Sequence, residues 1–190
     1  AALKPLLDSY GLDLIGGWYS GSLLVRDADA EIAALQPHLQ LLEAMGSQVF
    51  VFAETSNAVH GDRSVPLTGT PQLADGDWPQ FGARMTGVAD YIHSQGLKFA
   101  YHHHLGTVVE RASDMEAFIR HTGPSVGFTL DTGHAALGGV DYLQVIRQHP
   151  ARIAHVHCKD FRAEAYRRLR DGGSSFLDGV LGGMFTVPGD

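Results

Sequence analysis

The sequence predicts an α/β fold of right-handed βαβ units, and within that class a (β/α)8 barrel. Three observations carry the expectation. Short apolar runs alternate along the 190 residues with stretches of helical periodicity, the pattern of a parallel sheet joined by crossover helices. Acidic and histidine residues recur at the C-terminal ends of successive runs, where such barrels build their active sites. A doubly wound sheet would instead place a Gly-rich turn after its first strand, and no G-x-G-x-x-G follows it here. Five strands are clear, the chain opens within a helix and a sixth candidate lies near its end. The expectation is therefore one domain over 1–190 that forms an interior part of a barrel.

Taken in order, residues 3–10 read as the tail of a helix and 12–18, after Gly11, as the first strand. Asp27 is placed to cap a helix that runs to Met45, where Gly46 ends it, and Pro37 should kink or split that helix. Residues 48–54 are apolar on both faces, as in a covered parallel strand. A long loop over 55–76 carries His60, Asp62, Arg63 and Pro66. Asp77 can cap the next helix, in which Trp78, Phe81, Met85, Val88 and Ile92 share a side and Gly96 closes the turn. The third strand spans 97–104. Ser113 and Glu116 form a capping-box pattern for a short helix with Met115, Phe118 and Ile119 on its apolar side. Strands over 126–131 and 152–158 flank a helix over 141–149, and helical pieces over 164–170 and 174–181 precede the apolar residues 185–187.

Composition narrows the function classes. A formal net charge of −7, with no basic cluster, argues against nucleic acid and anionic membranes as partners. No apolar run approaches the roughly 20 residues of a membrane span. The single cysteine, Cys158, forms no internal disulfide, which points to a reducing cytoplasm. A small neutral substrate fits best.

Three strand ends carry the chemistry: Tyr101-His102-His103-His104, Asp131-Thr132-Gly133-His134 and His155-Val156-His157-Cys158-Lys159. Buried imidazoles need hydrogen-bond partners or a metal, and three in a row are hard to justify by packing. Alternation puts His102 and His104 on one face with His103 opposed, and groups His155, His157 and Lys159. Imidazole and carboxylate converging from neighbouring strands suit Mn, Co, Fe, Ni or Zn, whereas one cysteine excludes a multi-Cys structural zinc site. Plainer readings stand beside these. Glu54 can tie down a loop, Glu110 can favour a helix N-terminus, Lys159 can pair with Asp160, and Trp18 can fill the barrel mouth.

Six blocks in order, GWYSGSLL (17–24), FAETSNAVHGD (52–62), YHHHLGTVVE (101–110), LDTGHAALGG (130–139), RIAHVHCKDFR (152–162) and SFLDGVLGGMFTVPGD (175–190), together closely resemble the myo-inosose-2 dehydratases of the xylose-isomerase-like TIM-barrel superfamily. By that resemblance the chain lacks the first two β/α units and the last. Asp131 and His157 match superfamily metal-ligand positions. The third ligand is usually a Glu, and here that strand ends in histidines. His104, six residues before Glu110, is the expected ligand, with His102 second. Glu110, His134, Arg162 and Trp18 are the expected substrate contacts. The resemblance implies a divalent metal, Mn or Co, and a small neutral cyclic polyol ketone or sugar as substrate. Base and acid stay open among His103, Lys159, Glu54 and His134.

The reaction so implied is loss of water from 2-keto-myo-inositol (scyllo-inosose) to a trihydroxycyclohexane-dione, a step of inositol catabolism. A metal-dependent isomerase or epimerase would share the acidified C–H but return the proton to carbon. A barrel phosphodiesterase acting on DNA would need a basic surface. An inactive barrel fragment is the third alternative, and open sheet edges, like homo-oligomer formation, would lead to association.

Overall fold

The computed structural model describes residues 3–190 and contains a parallel five-stranded sheet in the order β1-β2-β3-β4-β5. The strands are β1 (Gly16–Gly21), β2 (Val49–Glu54), β3 (Lys98–His102), β4 (Gly127–Asp131) and β5 (Ile153–His157). Helix α1 (Leu3–Ser9) precedes them, and α2 (Ala28–Met45), α3 (Trp78–Ser94), α4 (Ala112–His121), α5 (Thr132–Leu137) and α6 (Tyr142–Gln148) lie in the crossovers. A C-terminal segment adds β6 (Asp160–Phe161), α7 (Ala163–Asp171), α8 (Phe176–Leu181) and β7 (Phe185–Thr186). Among the described residues no helix is long and apolar enough to cross a membrane.

The two faces of the sheet carry different side chains. Phe50, Phe52, Phe99, Tyr101, Phe128 and Leu130 form one continuous core with Leu35, Leu39 and Leu42 of α2, Met85 and Val88 of α3, and Met115 and Phe118 of α4. On the opposite face only Val49, Val51, Ala100 and Ala154 cluster. Large residues under the helices and small ones opposite are what a barrel wall requires, because the inner face has less room. A further cluster of Leu67, Leu105, Leu169, Phe176 and Met184 seats α7 and α8 over the C-terminal ends of the strands.

Register sets the later chemistry. Between β3 and β4, His102 lies level with Thr129. Between β4 and β5 the pairing steps from Phe128↔Ile153 to Thr129↔His155, so one extra residue, Ala154, is accommodated as a bulge. Beyond it Asp131 is level with His157. Ile153 packs towards the helices and Ala154 on the opposite face, so His155 and His157 follow the inner face beyond the bulge.

Several boundaries differ from expectation. β1 lies at Gly16–Gly21, later than 12–18, because its glycines are packing positions inside the strand. A Cβ on Gly21 would sit 1.9 Å from the Phe52 ring, and one on Gly17 would sit 3.0 Å from both His38 and Leu42. α2 runs unbroken through Pro37, whose side of the helix is exposed so that the freed carbonyl meets solvent. Asp77 occupies the position before α3 without a side-chain cap, since it already belongs to a helical turn. β3 ends at His102, leaving His103 and His104 in the following loop. Asp114, rather than the Ser113/Glu116 pair, anchors α4: its Oδ2 accepts from the amides of Arg111 at 2.8 Å and Glu110 at 3.2 Å. Residues 185–187 supply no sixth strand of the main sheet; β7 pairs antiparallel with β6. α5 was not foreseen, and it starts where Asp131 caps it.

Gly21→Ala must push a fully buried phenyl ring aside, so it should destabilise the chain by about 1–3 kcal/mol in urea unfolding. An unchanged midpoint would contradict the packing of β1 against Phe52.

Candidate metal centre

Three side chains from the last residues of β3, β4 and β5 converge: His102, Asp131 and His157. His102 Nε2 and His157 Nδ1 are 3.0 Å apart, and Asp131 Oδ2 lies 3.5 Å from the former and 3.6 Å from the latter. Asp131 is fully buried, yet Oδ2 receives no properly directed hydrogen bond. Its other oxygen, Oδ1, accepts from the His134 amide at 3.0 Å and caps α5. An ion with ligands at roughly 2.1 Å in tetrahedral directions needs donor atoms about 3.4 Å apart. The three measured separations bracket that value, so these residues fit a divalent metal. Three protein ligands leave a position free for water or substrate, the pattern of a catalytic site.

Lys159 completes the electrostatics. Its Nζ is 2.9 Å from Asp131 Oδ2 and 4.7 Å from the centre of the Phe185 ring. Burial alone would raise the Asp131 pKa, but the two imidazoles and the His134 contacts outweigh it and hold the carboxyl far below its usual range.

A wall of rings surrounds the cluster. Trp18 of β1 stands 5.0 Å from His102 and 5.8 Å from His104, between ring centres. The His104 and His134 rings lie 3.8 Å apart, tilted by 38°, with Phe176 5.0 Å from His104 and Phe185 5.1 Å from His134. The backbone of Leu105 meets both imidazoles in opposite senses, through its carbonyl and its amide. His104 Nδ1 lies 2.7 Å from the Leu105 carbonyl, to which it can only donate, so the neutral ring keeps its lone pair on Nε2. His134 Nδ1 accepts from the Leu105 amide at 3.3 Å, so its Nε2 carries the proton. The backbone of one residue therefore sets a free ring acceptor, His104 Nε2, beside a ring donor, His134 Nε2–H.

The remaining sequence candidates are placed elsewhere. His103 is enclosed, with neither ring nitrogen partnered, and burial pushes its pKa down to about 3. Glu54 is buried; Oε2 accepts from the Leu23 amide at 2.5 Å and Oε1 from the Ser56 amide at 2.9 Å, which ties two loops, while burial raises its pKa. Glu110 Oε2 accepts from Thr70 Oγ1 at 2.8 Å and the Gly106 amide at 2.6 Å, joining the long loop to the loop after β3. Arg162 is half exposed and binds Gly183, Thr186 and Asp190, clasping the β6–β7 pair. His60, named in the sequence only as a loop residue, comes within 4.8 Å of His104, and Phe176 and Phe185 also join the wall. No spacing rule connects these distant residues; a loop too long to be a simple connector was the one available signal.

Strand-end ligands at one end of a parallel sheet, with helices along one face, agree with the comparison to known sequences. Residues 1–183 match the model of the xylose isomerase-like TIM barrel family. The chain belongs to this family. It is 43% identical over its whole length to the rhizopine catabolism protein MocC of Rhizobium meliloti, covering 58% of that protein. It is 35% identical over 99% of its length to the inosose dehydratase of Lacticaseibacillus casei, covering 64% of it, and 33% identical to that of Geobacillus thermodenitrificans, also covering 64%. The chain thus spans about three fifths of the length of these curated relatives. Among solved structures it resembles the IolI protein with a bound zinc atom, at a TM-score of 0.63 and 14% identity over 95% of this chain and 67% of that one. It also resembles the probable 3-DHS dehydratase AsbF of Bacillus anthracis, at a TM-score of 0.63 and 14% identity over 87% and 57%. At that identity the two share its fold.

This xylose isomerase-like barrel holds His102, His103, His104 and His134 neutral by burial, all with pKa values below the ordinary 6.5. The unfolded chain takes up protons below about pH 6.5 that the folded chain refuses, so stability falls as pH drops from there towards about 3. Each such histidine removes about 1.4 kcal/mol per pH unit within its window. Urea midpoints should be flat between about pH 7 and 8 and fall steeply between about 6.5 and 5. A pH-independent midpoint in the acid range would contradict neutral burial of these rings.

Proposed function

We propose that this chain carries the metal-binding and proton-handling part of a dehydratase that converts 2-keto-myo-inositol (scyllo-inosose) and releases one water to give a trihydroxycyclohexane-dione, in inositol catabolism. The observation that carries it is the convergence of His102 Nε2, Asp131 Oδ2 and His157 Nδ1 within 3.0–3.6 Å. The 31–35% identity to inosose dehydratases over 99% of the chain supplies the substrate class.

In this reading His102, Asp131 and His157 hold the ion, with His102 in the place that sequence spacing assigned first to His104. Mn or Co is the ion we expect, because two imidazoles and a carboxylate without thiolate suit intermediate to hard ions. When bound, the ion acts as a Lewis acid on the ketone and its neighbouring hydroxyl, and makes the adjacent C–H acidic. His104 Nε2, a neutral lone pair facing the wall, takes the carbon proton. His134 Nε2–H hydrogen-bonds the β-hydroxyl and keeps its proton; the proton that His104 took from carbon is handed on to that hydroxyl, which leaves as water, and tautomerisation of the resulting enol yields the dione. Neutral imidazoles suit both tasks, since burial keeps them uncharged at neutral pH. Trp18 and Phe176 shield the ring of the substrate from solvent, and Lys159 adds a cationic donor at the rim. Glu54, Glu110 and Arg162 act as positioning residues through the loops they hold. The single cysteine suits a reducing cytoplasm. The 43% identity to MocC favours, as a second reading, the same elimination on a compound of rhizopine catabolism.

Turnover of 2-keto-myo-inositol with Mn or Co added, followed by dione absorbance and by mass spectrometry for loss of water, tests the reaction. An isomer of unchanged mass would replace dehydration with isomerisation. Asp131→Asn and His102→Ala should each weaken ion binding by more than the roughly 100-fold that loss of an outer-shell partner costs. His104→Ala should leave ion affinity within a few-fold while abolishing turnover. If His104→Ala loses the ion and His102→Ala keeps it, the ligand assignment is reversed.

A further inference from the structure

The position of Lys159 is more closely specified than a rim lysine requires. Its backbone exchanges hydrogen bonds with the Thr132 hydroxyl: the Lys159 amide donates to Oγ1 at 3.0 Å, and Thr132 donates back to the Lys159 carbonyl at 2.7 Å. Its stem lies on Gly133, where an added Cβ would meet Lys159 Cβ, Cγ and Cδ at 3.1–3.2 Å. A larger residue there would push the stem aside by a few tenths of an ångström. The ammonium ends 2.9 Å from Asp131 Oδ2, the same atom that faces His102 and His157. The contact is an ion pair without hydrogen-bond direction, and the Lys159 side chain remains 30% exposed, so it can leave.

Charge decides what this arrangement does. With neutral imidazoles, one buried carboxylate and one ammonium balance. A divalent ion at the same oxygen would leave two cations sharing a single negative charge, and the ammonium would be repelled. The Phe185 ring face, over which the ammonium already lies at 4.7 Å, gives it a contact beside the cleft that does not depend on the carboxylate.

We propose that Lys159 is the resident counter-cation of the metal-free centre: its ammonium and a divalent ion are alternative occupants of the space at Asp131 Oδ2, and ion binding moves the ammonium off the carboxylate into the cleft beside Phe185. This inference rests on reading His102, Asp131 and His157 as the metal site. It gives Lys159 a role in setting ion affinity that is separate from any part in turnover.

The test is calorimetric titration of the full chain with Mn2+ and Zn2+, together with thermal unfolding with and without ion. Lys159→Met should bind each ion at least tenfold more tightly than the unsubstituted chain, while Lys159→Arg, which keeps the charge, should bind as the unsubstituted chain does. Without ion, Lys159→Met should melt lower, because Asp131 is left buried and unpaired, and added ion should raise its melting point more than it raises that of the parent. Lys159→Gln repeats the measurement should the Met variant fold poorly. Equal or weaker ion binding by both neutral variants, with Asp131→Asn still abolishing binding, overturns the competition and makes Lys159 a support for the site. No Asp131-dependent binding by any variant overturns the metal centre and this inference with it.

Discussion

A carboxylate with no exposure to solvent governs this structure. Asp131 stands where β4 turns into α5, and removing its charge from water is costly unless partners replace the water. Its two oxygens divide the task. Oδ1 serves the fold, taking the amide that begins α5. Oδ2 is left for His102, His157 and Lys159, which come from two other strand ends. Local secondary structure and long-range convergence are thus coupled through one side chain, and any change to it disturbs both.

The sheet supplies the rigidity that such a group needs. Its aromatic face is locked under α2, α3 and α4, so the ends of β3, β4 and β5 are held by a core far from the chemistry. The loops of the mouth are tied separately. Glu110 fastens Thr70 to Gly106, Arg63 pairs with Asp178 at 2.7 Å, and the Leu67 amide bonds to the Ser174 carbonyl at 3.0 Å. These contacts bring the long loop and the C-terminal segment together, and with them His60, Phe176 and Phe185. A cleft of neutral rings around one charged centre follows from these ties.

Much of this was legible from residue order. Apolar runs located all five strands, and helical spacing located the buried residues of α3, because both periodicities reflect burial on one face. The convergence of Asp131 with β3 and β5 histidines was also readable from strand ends, and alternation correctly grouped His155 with His157. What alternation cannot say is where a strand stops. β3 ends at His102, so His104 turns to Leu105 and His134, and the imidazole that meets Asp131 and His157 is His102, one pleat before His104. Glycines misled at the other end of a strand: Gly21 lay beyond the expected first strand over 12–18, but Gly17 and Gly21 both belong to β1, where Leu42 and Phe52 reach its backbone. Glu54 and Glu110 show the same limit for side chains. A buried glutamate that ties loops and one that meets a substrate have the same spelling.

The bulge at Ala154 bears on how chains of this kind can change in length. Ahead of it β5 is anchored by Ile153 on the helix side, and behind it Val156 and His157 take their places by pairing with β4. Losing Ala154 would close the bulge into a regular ladder, with Thr129 still beside His155 and Asp131 still beside His157. A residue lost or gained between His155 and His157 has no such slack, and turns one imidazole towards the helices. In alignments of related barrels, a gap before the histidine pair of this strand is compatible with an intact cluster, whereas a gap inside the pair breaks it up while the counterparts of His102, Asp131 and His157 all remain in the sequence.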